Sequence, residues 1–164
     1  MTVSEAQQRA DNTPYDRLAA LGLQLPPAAP PIANFVNYVI EGNLLYISGQ
    51  GPTYLDGRKH TGKVGDDVST DEAYEHAKLT GLNLIAVMEE ALGDLSRVRR
   101  IVKILGMVNA TPDFAEHPQV INGCSDLFNA VFAEKGIHAR SAVGFSSLPN
   151  AITVEIEAIV AIDN

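Results

Sequence analysis

The stretch 138–159 constrains this chain more than any other. His138-Ala139-Arg140-Ser141-Ala142-Val143-Gly144-Phe145 and Thr153-Val154-Glu155-Ile156-Glu157-Ala158-Ile159 are short runs rich in β-branched and small residues, with Leu148-Pro149-Asn150 between them. They read as two strands joined by a turn. Each run carries charge where a packed strand is normally apolar: Arg140 in the first, Glu155 and Glu157 in the second. An unpaired guanidinium or carboxylate is strongly unfavourable inside a sheet. These charges therefore balance each other across a hairpin, face water, or await a ligand of opposite sign.

Size and charge narrow the options. At 164 residues and 46% hydrophobic, the chain suits one domain with a sizeable core. A formal net charge of −8 argues against nucleic acid and anionic membranes as partners. The single cysteine, Cys124, excludes an internal disulfide and fits a reducing compartment. No run of about 18 apolar residues offers a membrane span, and the first ten residues are too polar for a secretory signal. A cytoplasmic protein is expected.

Along the chain, residues 1–12 are polar and read as loose. Thr13-Pro14 starts a short helix that Gly22 stops, and Leu25-Pro26-Pro27-Ala28-Ala29-Pro30-Pro31 follows as a semi-rigid, polyproline-like connector. Residues 35–40 and 44–52 read as a hairpin turning at Gly42, with the second strand bending away at Gly49 and Gly51. The segment 53–69, rich in glycine and charge, reads as an exposed loop or short hairpin. Ser69-Thr70-Asp71-Glu72 is a capping box, and Ala73, Ala77, Leu84, Met88 and Leu92 then recur at helical spacing up to Gly93. A strand over 98–108 and a second helix from Pro118 to Gly136 precede the closing hairpin. The order β-β-α-β-α-β-β predicts an α+β layer with two helices on one face of the sheet. The other face retains apolar residues, among Leu45, Ile47, Val143 and Phe145 according to register, and is expected to be an oligomer interface.

Candidate chemistry is sparse outside 138–159. His60, His76, His117 and His138 lack paired metal-ligand spacing, and no Cys-x-x-Cys is present. Ser48 stands in Ile-Ser-Gly-Gln rather than in a nucleophile elbow. Cys124, mid-helix on the apolar side, reads as an inert thiol. Arg140, beside small residues, has room above it for a small anion, and Glu155 suits polarising a water; a structural Arg–Glu pair is the competing reading. Asn122 interrupts an apolar helix face, either as a satisfied polar residue or as a ligand contact.

Taken together, Leu45-Tyr46-Ile47-Ser48-Gly49-Gln50, Val120-Ile121-Asn122 ahead of Phe128, Ala139-Arg140-Ser141, and Leu148-Pro149 followed by Val154-Glu155-Ile156-Glu157-Ala158-Ile159 resemble the Rid (reactive intermediate deaminase, YjgF or L-PSP) family. The resemblance covers about residues 33–162, so 33–164 is expected to be the Rid-like domain and 1–32 an N-terminal extension. It implies a chorismate-mutase-like α+β fold, a homotrimer with clefts between subunits, and hydrolysis of 2-imino or enamine acids to 2-keto acids and ammonia without metal or organic cofactor. By the same resemblance, Arg140 binds the substrate carboxylate and Glu155 orients the attacking water. Phe35, Ser48, Gly49, Asn122 and Ala142 line the site. The chain departs from the family pattern in Phe35, where tyrosine is common; in Ala142, where cysteine is frequent; in His138, where proline is usual; and in the longer 53–66 loop, which is expected to roof the cleft. Phe35 is expected to enlarge an apolar wall for a bulkier imino acid. Two other functions compete with deamination: a non-catalytic trimeric binder of small carboxylic acids, and a ribonuclease, against which the net charge argues.

Overall fold

The computed structural model describes residues 13–163; the reading of 1–12 as loose lies outside them. Helix α1 (Pro14–Ala20) opens with Thr13 as cap, its hydroxyl accepting from the Asp16 amide while Asp16 answers in a reciprocal box. It is followed by β1 (Tyr38–Glu41), β2 (Leu44–Gln50), α2 (Thr70–Leu92), β3 (Val98–Asn109), α3 (His117–Phe132), β4 (Ala139–Phe145) and β5 (Val154–Ile162). The capping box at Ser69 and Glu72 forms as the sequence predicts, and Gly93 ends α2 with φ 68°. Helix α3 carries its proline in the first turn but stops at Phe132, ahead of Gly136, because the chain tightens into a 3-10 turn over Ala133–Gly136.

The five strands form one mixed sheet in the order β1-β2-β5-β3-β4. The expected closing hairpin is absent. β4 instead runs parallel to β3 at the sheet edge, and β5 inserts between β2 and β3, antiparallel to both. Composition explains the exchange. β5 is the most continuously buried strand and takes the centre, where both edges are paired. β4 is short, small-residue-rich and carries Arg140, all tolerable at an edge. The β3–α3–β4 path is the crossover that parallel neighbours require.

Register sorts side chains between the two faces. Leu45, Val160 and Ile101 stand in one row, as do Ile47, Ala158 and Ile104, and all six are buried under the helices. Leu45 and Ile47 therefore belong to the core rather than to the open face. That face presents Val39, Tyr46, Val143 and Phe145, between 40% and 52% exposed. Helices α2 and α3 cross closely because Gly123 has no side chain: a Cβ there would collide with the backbone carbonyl of Tyr74. The N-terminal segment is docked as well. Leu18 lies in the core, with Leu23, Leu25 and Ala28 packed against it. The Tyr15 hydroxyl donates to Glu89 at 2.6 Å and accepts from the Leu95 amide at 2.9 Å.

Candidate active site

Arg140 opens the β4 edge. Its register partner is Ile104, a core residue, so its side chain rises on the helix side of the sheet. There one guanidinium nitrogen, Nη1, donates to Asn122 Oδ1 at 2.8 Å and to Ser125 Oγ at 3.1 Å, and Nη2 donates to the Pro118 carbonyl at 3.3 Å. All three acceptors are neutral and belong to α3. Among the described residues, the side-chain ion pairs are Arg58–Asp56 and Lys78–Glu75, and neither involves Arg140. A guanidinium offers five N–H donors, so among the described residues Nε and one Nη2 hydrogen are left for a ligand.

A relay behind Arg140 fixes its position. His138 Nδ1 lies 2.5 Å from the Gly136 carbonyl, and its Nε2 lies 3.0 Å from Ser125 Oγ. Burial and the nearby Arg140 charge lower the His138 pKa, against the Gly136 bond that raises it. A neutral ring fits this arrangement: Nδ1–H donates to the carbonyl, Nε2 accepts from the Ser125 hydroxyl, and Ser125 Oγ accepts from Arg140. Ser125 and the Pro118 carbonyl escaped the sequence reading. The signal for Ser125 was its place one helical turn after Asn122. Ala142 follows on the same strand opposite Gly106, its side chain packed against the core.

Glu155 is on the other side of the sheet. It pairs with Met107, and its core-facing neighbours Val154 and Ile156 are fully buried. Its carboxylate lies directly against Gly49, where any Cβ would overlap it. The approach is possible because β2 shifts register between Ile47 and Gln50, the bend anticipated from the glycines. Burial, reinforced by the Glu157 charge, raises the Glu155 pKa above the usual carboxyl value. Glu155, Gly49, Gln50 and Phe35 line a cavity of about 380 Å³ that also takes in Lys59 and part of the proline-rich connector. The 53–66 loop contributes to it through Thr53 and Lys59, which face each other as a bridge across a tight turn. Ser48 does not line this cavity. Its hydroxyl donates to the Val36 carbonyl at 2.7 Å and its amide to the Asn37 carbonyl at 2.9 Å, so it holds the segment carrying Phe35 against β2.

The sequence-derived site residues thus fall into two groups within one chain: Arg140, Asn122 and Ala142 at the β4 edge, and Glu155, Gly49 and Phe35 at the cavity. Cys124 is fully buried, and burial pushes its thiol far up. Among the described residues, no cluster of three His, Cys, Asp or Glu side chains is arranged to hold a metal ion, and no helix is long and apolar enough to cross a membrane.

Comparison with known proteins agrees with this architecture. Residues 15–155 match the family described as "YjgF/chorismate_mutase-like, putative endoribonuclease". Protein TCP17 of Trypanosoma cruzi is 43% identical over 148 residues, covering 90% of this chain and 92% of that protein. A 2-iminobutanoate/2-iminopropanoate deaminase of Dermatophagoides farinae is 30% identical over 142 residues, covering 86% and 95%. The crystal structure of protein Atu1372 from Agrobacterium tumefaciens superposes with a TM-score of 0.86 at 46% identity, covering 95% of this chain and 97% of that one. The chain belongs to the YjgF/chorismate-mutase-like family, the same family that its strand motifs resemble.

Proposed function

We propose that this protein is a cofactor-independent hydrolytic deaminase of 2-imino and enamine acids, acting in clefts between copies of a homotrimer. The observation that carries the reading is the Arg140 guanidinium, positioned among the described residues by neutral acceptors only. A planar cation so held, with donors to spare, suits a two-point bond to a substrate carboxylate. The name of the Dermatophagoides farinae relative supports the same chemistry.

Arg140 and Glu155 occupy opposite faces of the sheet, on strands two spacings or about 10 Å apart. A single copy therefore offers each half of a site without joining them. The exposed apolar side chains of Val39, Tyr46, Val143 and Phe145 on the open face support a neighbouring copy against it. In the assembled cleft, Arg140 of one copy binds the carboxylate and Glu155 of the next orients a water. The water oxygen adds to the C=N carbon, the nitrogen takes up the protons released, and the C–N bond breaks. Imine plus water gives 2-keto acid plus ammonia, with no redox change. A raised Glu155 pKa suits proton transfer near neutrality better than an ordinary carboxylate would.

The test generates 2-iminopropanoate in situ with a pyridoxal-phosphate dehydratase and follows its loss. Acceleration by the protein, abolished in Arg140→Ala, is the expected result. Binding of 2-keto acids with no turnover of any imine would replace the enzyme with a carboxylic-acid binder.

A further inference from the structure

The cavity beside Glu155 is not built by the sheet alone. Pro30, Pro31 and Ile32 of the connector line it together with Phe35. Ile32 is 65% exposed and Phe35 44%, two large apolar side chains left open at a site that also holds a carboxylate. The connector is held in place at its end. The buried Asn37 side-chain amide donates to the Ala29 carbonyl at 2.8 Å, and Leu25 and Ala28 pack against the core upstream. A proline-rich strap anchored in this way is a preformed wall that loses little entropy when a ligand meets it.

The volume is informative too. A three-carbon imino acid has about six non-hydrogen atoms, each needing less room than the roughly 30 Å³ of a liquid water. It would occupy under half of the 380 Å³ present.

We propose that the connector wall of Pro30, Pro31 and Ile32, with Phe35, forms a side-chain subsite that selects 2-imino and 2-keto acids bearing branched aliphatic or aromatic side chains over the three-carbon acid. The inference rests on the deaminase reading for the placement of the acid, but binding alone tests it. Lys59 is the one cation among the lining residues, so the rival subsite is one for a second carboxylate.

Calorimetric titration of the full-length protein with 2-oxopropanoate, 4-methyl-2-oxopentanoate and 2-oxopentanedioate separates the cases. The branched acid is expected to bind at least about tenfold more tightly than 2-oxopropanoate, since each added methylene in an apolar pocket is worth an order of magnitude or more. Ile32→Glu, at a solvent-exposed position, should bring that ratio close to one. Equal affinities, or a ratio that Ile32→Glu leaves intact, overturns the proposal. So does tightest binding by the dicarboxylate with loss in Lys59→Ala. Selective binding without turnover of any imine leaves the subsite standing and removes the deaminase; no binding of any 2-keto acid removes both.

Discussion

The Glu155 carboxylate rests against the α-carbon of Gly49, in the space where any other residue would place its Cβ. The contact depends on the register shift in β2 and sets the direction in which the carboxylate enters the cavity. The obstructing atom is the far end of a flexible side chain, so the fold can yield to a methyl group there. Gly49→Ala should therefore change stability by less than about 1 kcal/mol while displacing Glu155 and lowering kcat/KM by at least about tenfold. Urea unfolding and imine turnover measured on the same preparation check the pair of outcomes. Unchanged turnover would release Glu155 from its assigned role.

The contact at Gly123 behaves in the opposite way. Here the obstructing atoms are the Tyr74 carbonyl and the Lys78 amide, backbone of a 23-residue helix that cannot step aside locally. Gly123→Ala should force α2 and α3 apart and destabilise the protein by about 2–3 kcal/mol, despite the better helix propensity of alanine. Denaturant unfolding measures it. A neutral or stabilising result would place the helix crossing elsewhere.

His76 gives the fold a pH dependence. Its ring stacks on His60 with centroids 3.7 Å apart, and its Nδ1 lies 3.0 Å from Thr153 Oγ1. Burial, then the His60 charge, lower its pKa to about 4 against an ordinary 6.5, with Glu72 acting in the opposite sense. A folded-state value below the unfolded one means the stabilisation is complete above pH 6.5. It is lost as pH falls towards 4, by on the order of 2 kcal/mol. Unfolding free energies of the parent and His76→Gln should converge over that interval. Parallel pH profiles would contradict the assignment.

Much of the fold was legible in the chain because its signals are local. The Ser69–Glu72 box, the Gly93 stop and the apolar periodicity between them specify α2 without reference to anything distant. The hairpin of β1 and β2 is likewise local. The pairing of β4 was not legible in this way. Two adjacent strand-like runs look like a hairpin, and only competition for the sheet centre, won by the more apolar β5, moves β4 beyond β3. The charged residues marked the candidate site, but their faces follow from that topology. Arg140 and Glu155 fall on opposite sides of the sheet because Arg140 shares a row with Ile104 and Glu155 with Met107. The connector looked like a spacer because proline-rich sequence has no amphipathic period to reveal what it touches; its place in the cavity wall emerges only from packing.

A cleft assembled from two copies makes a quantitative demand. Arg140→Ala and Glu155→Gln should each be inactive when purified alone. When the two chains are refolded together in equal amounts, a site is whole wherever Arg140 comes from the Glu155→Gln copy and Glu155 from the Arg140→Ala copy. Random assembly gives that combination at about one quarter of sites. Imine hydrolysis by the mixture should recover to about one quarter of the parent rate, whereas a mixture no more active than its separate components would contradict a site shared between copies.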